Sequence, residues 1–299
     1  MAKTVVTTIA NSKHIELLKG MGFSRFNLHL INKDVTPQQI KKIVSEADID
    51  IISIHVPFSN SDQVLIENIG RYDAIPYTAQ IANLLRKNEK IYVVCHTEMG
   101  KSIYEHPKMI YNISQSIDEL LTAYPSIVLA IENTMIFNSF NRSISQGALP
   151  SYCDFVRLIK DKSKYPERIC SVLDICHAKA TIYTIRQIFS DWSISLEDYF
   201  KKNEGLCEVV HVANVYGTGY TKSTHGIGYD PAFMKDVSDL QSIINLFYTY
   251  IPDACFMYEI SESDYDNRAE LNNTMESMIK LGYDPLEISK PIYKGDIIG

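Results

Sequence analysis

The residues most able to do chemistry are histidines and carboxylates at the ends of short apolar runs. The runs read IISIHVPF, IYVVCHTEMG, IVLAIENT, ICSVLDICHA, EVVHVANVYG and CFMYEISES, and one more histidine follows in KSTHGIGYD. The side chains are His55, His96, Glu132, Asp174, His177, His211, His225 and Glu259. One histidine at such a place is usually structural, but six consecutive runs with the same feature predict a shared site.

The chemistry that this set favours is metal binding. Several buried histidines and carboxylates are costly to bring together unless something pairs with them. Divalent ions bind neutral imidazole and ionised carboxylate, and a set without cysteine suits Zn²⁺ or Mn²⁺, with iron also open. Cys95 and Cys176 lie beside proposed ligands, but alternate residues of a strand face opposite ways, so we exclude them.

The elements that must position these residues alternate between short β-branched runs and stretches with helical spacing. The predicted strands are Thr4–Ile9, Arg25–Leu30, Ile49–His55, Ile91–His96, Ile127–Glu132, Ile169–Asp174, Val209–Asn214 and Cys255–Ile260. The helical stretches include Thr36–Ala47, Ala74–Lys87, Lys108–Ala123, Ser151–Lys160, Val237–Tyr248 and Arg268–Leu281. Thr36-Pro37-Gln38-Gln39 predicts an N-cap followed by proline at the first helical position.

Eight β-α units predict an α/β fold, a single (β/α)8 TIM barrel that spans residues 1–299 as one domain. The metal site then lies at the C-terminal ends of the strands, where such barrels place their chemistry. An open doubly wound sheet is the alternative. The count of eight, and the polar residues at so many strand ends, favour the barrel.

Composition and charge limit the classes of function. The chain has 299 residues with 29 Lys+Arg and 36 Asp+Glu, a net charge of −7, which argues against attachment to nucleic acid by bulk charge. A local positive groove stays compatible with that balance. The six cysteines lie mostly in apolar runs without a C-x-x-C pair, which predicts buried free thiols. The sequence shows no signal peptide and no membrane-spanning run, so we expect a cytoplasmic protein without a membrane partner.

Three fragments carry a family resemblance: IENT at 131–134, LDICHA at 173–178 and HVAN at 211–214. From about His55 to Glu259 the chain resembles the endonuclease IV family (AP endonuclease family 2), within the xylose-isomerase-like TIM barrels. The resemblance implies a cluster of two or three Zn²⁺ ions. Its ligands would be His55 and His96 with a bridging Glu132 at one ion, Asp174, His211 and Glu259 with Glu132 at a second, and His177 and His225 at a third.

The chain also departs from this family. The family has Asp-Arg-His in the loop after strand 7, whereas this chain has Ser223-Thr224-His225, and Asp230 is the candidate replacement for the lost carboxylate. Strand 2 runs into FNLHLINKD without the arginine that contacts DNA in the family. Phe58 falls where the family has an aromatic residue that enters the abasic gap, and plain core packing is its alternative interpretation.

The first functional hypothesis is a phosphodiester hydrolase that cleaves DNA 5′ to abasic sites. A multi-zinc cluster would lower the pKa of a bridging water and stabilise the leaving oxygen, and Glu132 would orient that water. Extrusion of the lesion is easiest where a base is already missing. The number of histidines at proposed metal positions favours this hypothesis.

The alternative is an isomerase or epimerase of a small sugar or sugar phosphate. One Mn²⁺ would be bound by Glu132, Asp174, His211 and Glu259. The two glutamates would exchange a proton on opposite faces of an enediolate, and His177 would polarise a substrate hydroxyl. The turn Gly217-Thr218-Gly219 would bind a phosphate through backbone N–H groups.

This alternative predicts Glu132, Glu259 and His177 as the catalytic residues, and it leaves His55, His96 and His225 without a role. A two-metal phosphoesterase with another substrate and a non-catalytic binding barrel remain open.

Overall fold

The computed structural model describes residues 2–30, 35–57, 61–86, 90–136, 145–189, 193–216, 225–262 and 264–288. Eight parallel strands close into a barrel in which each strand pairs with the next along the chain and the last pairs with the first. They are β1 (Val5–Ile9), β2 (Arg25–His29), β3 (Asp50–His55), β4 (Ile91–Thr97), β5 (Ile127–Asn133), β6 (Ile169–Asp174), β7 (Cys207–Val212) and β8 (Cys255–Tyr258). The predicted (β/α)8 barrel is confirmed, while its extent as one domain over 1–299 stays a prediction.

Helices cover the outside of the barrel. They are α1 (Ser12–Gly20), α2 (Pro37–Ala47), α3 (Ala74–Leu85), α4 (Pro107–Ala123), α5 (Tyr152–Lys162), α6 (Ile175–Ile188), α7 (Leu196–Asn203), α8 (Met234–Tyr250) and α9 (Ala269–Lys280). Helix α2 begins as predicted, because the Thr36 hydroxyl accepts from the Gln39 N–H while the Gln39 side chain accepts from the Thr36 N–H. The six predicted helical stretches are present with ends shifted by a few residues; Lys87 lies outside the described residues.

Two short antiparallel pairs flank the barrel. Ala2–Lys3 pairs with Glu287–Ile288, and Asn214–Val215 pairs with His225–Ile227. The second pair corrects the sequence prediction for β7, which extended that strand to Asn214. The barrel strand ends at Val212, and the chain then turns into this separate ribbon at the C-terminal mouth.

The inside of the barrel changes in character along its axis. An apolar cluster fills the interior and consists of Val5, Ile52, Val94, Val128, Ala130, Cys170, Val172, Val209 and Met257. Within it lies one small polar group, in which the Asn27 amide donates to Thr7 and the Ser53 hydroxyl donates to Asn27. Because side chains of a strand alternate, the next inward positions toward the C-terminal ends form a separate layer above this cluster.

The apolar helix faces pack on the outside of the strands in one large core. β5 and β6 are buried at every position, as expected for strands with both faces covered. All six cysteines are free thiols, and four of them are buried, while Cys207 and Cys255 are half-buried. None of the helices in the described ranges is both long and apolar enough to cross a bilayer.

Candidate metal centre

A ring of histidines and carboxylates forms the uppermost layer of the barrel, at the C-terminal ends of seven strands. The register places His29 beside His55, His96 beside Glu132, and Asp174 beside His211. In strand order the ring contains His29, His55, His96, Glu132, Asp174, His211 and Glu259. The spacing of one polar residue per strand therefore produces one continuous constellation.

Four of these side chains form a compact set of donor atoms. One atom from each of Glu132, Asp174, His211 and Glu259 lies within 4.8 Å of the others. Nδ1 of His211 lies 2.5 Å from Oε2 of Glu259 and 3.5 Å from Oε2 of Glu132. It lies 3.9 Å from Oδ2 of Asp174. Three carboxylates thus converge with one imidazole on a single point.

Whether a metal ion suits the site depends on the hydrogen-bond partners that these donor atoms already have. Oε2 of Glu132, Oε2 of Glu259 and both ring nitrogens of His211 are buried and make no hydrogen bond of proper geometry with the described residues. Buried polar atoms are normally satisfied, and unpaired ones are costly. Three carboxylate ligands and one imidazole are a donor set that Zn²⁺ or Mn²⁺ accepts. The residues therefore fit a divalent ion.

A second group shares Glu132. Nε2 of His55 lies 3.2 Å from Nε2 of His96 and 3.4 Å from Oε2 of Glu132, and Nε2 of His96 lies 3.7 Å from that same oxygen. Nδ1 of His55 lies 2.8 Å from the carbonyl oxygen of Val56, which only accepts hydrogen bonds, so Nδ1 carries the proton. The lone pair of Nε2 then faces Glu132, and the three side chains form a candidate second site.

His177 lies on the first turn of α6, directly after β6. The Asp174 carboxylate caps this helix by accepting from the His177 N–H at 2.6 Å. Nδ1 of His177 lies 2.8 Å from the carbonyl oxygen of Asn133 and 3.3 Å from Oε1 of Glu132. His177 therefore borders both groups of donor atoms, although it is a member of neither.

Of the remaining predicted site residues, only Asp230 has a described side chain. His225 begins the second strand of the ribbon, but its side chain lies outside the described part of the chain. Oδ1 of Asp230 accepts from the N–H of Ala232 in a turn, and Asp230 belongs to neither donor group. Phe58 and the turn at 217–219 lie outside the described residues.

His29 is the member of the ring that the sequence interpretation missed. Its Nε2 lies 2.5 Å from Oε1 of Glu259, and its ring centroid lies 5.1 Å from that of His55. The signal was present, because His29 also stands near the end of an apolar run, FNLHL. The family resemblance concerns an arginine of that run and implies no role for its histidine.

Burial disfavours the charged form of each group in the ring, and the neighbours decide the outcome. Burial lowers the pKa of His96 to about 3 and raises that of Asp174 to about 7. Burial also opposes ionisation of Glu132 and Glu259, but His211 and the other imidazoles outweigh it and hold both pKa values well below their usual range. The same carboxylates raise the pKa of His211 well above its usual value despite its burial.

A protonated His211 is therefore the counter-charge that the ring itself supplies to its carboxylates. A divalent ion would take the place of that proton, because a metal binds the deprotonated ligands. Binding of the ion should then release protons from the protein.

Connections behind the ring hold the β4 end in place. The N–H of His96 donates to the Val64 carbonyl at 2.9 Å, and one oxygen of Glu67 accepts from the N–H groups of Glu98 and Met99 at 3.0 Å each. Gly147 packs directly against this turn: a Cβ there would lie 1.8 Å from the carbonyl oxygen of Thr97, so only glycine fits. His96 is thus held by backbone pairing from outside the barrel.

Solved structures share this fold at low sequence identity. A D-tagatose 3-epimerase-like protein matches with a TM-score of 0.57 and 16% identity, over 93% of this chain and 99% of that one. A 3-keto-D-glucoside 4-epimerase from E. coli matches with a TM-score of 0.52 and 15% identity, over 93% and 99%. The IOLI protein with a bound zinc atom matches with a TM-score of 0.60 and 12% identity, over 94% and 98%.

At these identities the likeness shows the barrel fold alone. It gives no specific support to endonuclease IV. No family model matches the chain, and no curated protein matches it.

Proposed function

We propose that this protein is a metal-dependent isomerase or epimerase of a small sugar or sugar phosphate. The observation that carries the proposal is the convergence of Glu132, Asp174, His211 and Glu259 at the mouth of the barrel, where one donor atom of each lies within 4.8 Å of the others. Two of the similar folds described above belong to proteins named for sugar epimerisation. This reverses the preference that the number of histidines gave to a DNA hydrolase.

Glu132, Asp174, His211 and Glu259 would hold one divalent ion, with Mn²⁺ or Zn²⁺ as the candidates. Such an ion, when bound, polarises a substrate carbonyl as a Lewis acid and orients the neighbouring hydroxyl. The chain itself must then move a proton between substrate carbon and protein.

The two glutamates are the proposed acid/base pair. Both carboxylates are ionised, which is the form that can accept a proton from a carbon next to a carbonyl, although a pKa well below the usual range makes each of them a weak base. The side chain of Glu259 is 14% exposed and that of Glu132 only 1%, so Glu259 is the more accessible of the two. His177 borders Glu132 and is the proposed partner for a substrate hydroxyl.

The second candidate function is a phosphodiester hydrolase with two or three Zn²⁺ ions, acting on DNA that contains abasic sites. The observation in its favour is the group of His55, His96 and Glu132, whose donor atoms also lie within 4.8 Å of one another. A single-metal epimerase does not require that group. Two ions that share Glu132 would suit attack of a water on a phosphate.

One substitution separates the two functions. We expect His96→Gln to leave epimerisation of ketoses and ketose phosphates by the metal-loaded protein largely intact, because His96 lies outside the four-ligand set. The same substitution would disable a hydrolase that needs the second ion. The assay is turnover of a sugar panel by chromatography beside cleavage of a duplex with one abasic site. Abasic-site cleavage by the wild type that His96→Gln abolishes, with no sugar turnover, would overturn the epimerase proposal.

A further inference from the structure

His29 is a ring member to which neither the proposed reaction nor the candidate second metal site gives a role. It ends β2, and parallel pairing places it beside Ile9 of β1 and His55 of β3. Its side chain extends past β1 to reach Glu259, the residue that follows β8. The role of His29 is therefore to be sought in its contact with the Glu259 carboxylate.

The Glu259 carboxylate lies between two imidazoles. Oε2 lies 2.5 Å from Nδ1 of His211, within the four-ligand set, and Oε1 lies 2.5 Å from Nε2 of His29 on the other side. The side chains of His29 and Glu259 are 20% and 14% exposed, whereas His211 is fully buried. The His29 contact is thus on the more open side of the ring.

The hydrogen bond defines what His29 can do. An ionised carboxylate only accepts, so Nε2 of His29 carries the proton and offers no lone pair to a metal ion. Burial lowers the pKa of His29 despite the nearby carboxylate, which agrees with a neutral ring. His29 is also absent from both sets of converging donor atoms in the described residues.

We infer that His29 is a positioning residue that holds Oε1 of Glu259, so that Oε2 stays turned toward His211 and would be available to an ion. This inference rests on the proposed function, because it assigns Glu259 to the metal centre and to proton exchange. Without His29 the carboxylate is free to rotate about its terminal bond. Hydrogen bonds to ligands from outside the coordination sphere typically change metal affinity by 10- to 100-fold on removal.

The test compares Mn²⁺ binding by metal-free wild type, His29→Leu, His29→Gln and His106→Leu, measured by calorimetry. His106 is an exposed histidine before α4 and serves as the matched control. We expect one ion per chain in all four proteins and a dissociation constant raised about tenfold or more in His29→Leu. His29→Gln keeps an N–H donor and should bind within about threefold of wild type, as should His106→Leu.

Different failures identify different errors. If wild type binds no ion, the proposed function fails, and the inference fails with it. If wild type binds one ion and His29→Leu binds it within twofold of wild type, only the role of His29 is wrong. If His29→Leu and His29→Gln both lose the ion entirely, His29 is a ligand and not a positioning residue.

A measurement on the wild type covers the case in which His29→Leu does not fold. In protein loaded with ¹¹³Cd²⁺ and labelled with ¹⁵N in its histidines, we expect ¹¹³Cd coupling at a ring nitrogen of His211. His29 should show a protonated Nε2 without such coupling. Coupling at His29 would overturn the assignment.

Discussion

The ring at the mouth of the barrel has two unlike halves. The acid half, carried by β5 to β8, consists of Glu132, Asp174, His211 and Glu259. The histidine half, carried by β2 to β4, consists of His29, His55 and His96. Both halves occupy the same layer of the same barrel, yet only one of them contains several carboxylates.

The two halves differ in the hydrogen-bond partners and the charge of their buried side chains. In the histidine half, His55 donates to a carbonyl and His29 donates to Glu259, while the neighbouring Glu132 raises the pKa of His55 despite its burial. In the acid half, buried oxygens of Glu132 and Glu259 lack hydrogen bonds with the described residues, and three carboxylates repel one another. A neutral imidazole can be buried without a cation, but a group of carboxylates cannot. The acid half therefore needs a positive charge among its carboxylates, which a protonated His211 supplies in the structure and a bound ion would supply in its place.

Of the substitutions considered, Asp174→Asn should weaken metal binding by the acid half most strongly. It removes one charged ligand, and we expect metal affinity to fall at least about 100-fold and catalysis to be lost. Asparagine caps helices as well as aspartate does, so the hydrogen bond to His177 should persist and the fold should survive. Calorimetry with Mn²⁺ measures the loss, and circular dichroism provides the control for folding. Wild-type affinity in this variant would exclude Asp174 as a ligand.

Removal of the metal should weaken the whole fold. An ion that binds only the native state at 100 times its dissociation constant adds about 2.7 kcal/mol to the free energy of unfolding. Treatment with a chelator should therefore lower the thermal midpoint, and added Mn²⁺ or Zn²⁺ should restore it. An unchanged midpoint after verified metal removal would show that the carboxylates are stabilised in another way.

Glu67 allows a test of how the end of β4, which carries His96, is stabilised, because its carboxylate accepts hydrogen bonds from the turn after that strand. Burial raises the pKa of its carboxyl to about 7, although Thr97 and the N–H groups of Glu98 and Met99 oppose that shift. The native state then binds a proton more tightly than the unfolded chain, so stability should fall as pH rises from about 4.5 to about 7. We expect the contribution of this group to be about 3 kcal/mol, because one pKa unit corresponds to about 1.36 kcal/mol.

Glu67→Gln should remove that part of the pH dependence. The free energy of unfolding in urea at pH 5 and pH 8 gives the difference between the variant and wild type. An identical pH dependence in the two proteins would contradict the raised pKa. The comparison is restricted to the difference because Asp174 also titrates near neutral pH.

His96→Gln should have the smallest effect on the metal centre. If the histidine half needs no ion, the variant should bind one metal ion with an affinity within about threefold of wild type. Calorimetric titration reports both the stoichiometry and the affinity. Loss of one of two bound ions would show that the halves act together and would favour the hydrolase.

The sequence predicted the barrel and most of the ring because both follow from the alternation of strands and helices along the chain. Eight apolar runs with intervening helices allow few arrangements, and parallel strands bring their C-terminal ends to one mouth. His55, His96, Glu132, Asp174, His211 and Glu259 meet for that reason. His29 was missed because its run was compared with a family pattern and not with the other strands.

Other features depend on tertiary structure that alternation does not describe. Helix α6 starts directly at Ile175 without an intervening loop, since Asp174 ends the strand and caps the helix. Helices α1 and α7 have only nine and eight residues, so each offers little more than two turns of the helical period. The preference for a hydrolase rests on the number of histidines at proposed metal positions, and that number does not reveal that the carboxylates gather in one half of the ring.

The most direct test of the central claim is the metal content of the purified protein, measured per chain by elemental analysis with the identity of the metal. A site formed by the acid half alone predicts one divalent ion per chain, manganese or zinc. Two or three zinc ions per chain would mean that His55 and His96 are ligands and would favour the phosphodiester hydrolase. A protein that binds no divalent ion, even after dialysis against Mn²⁺ and Zn²⁺, would contradict the account.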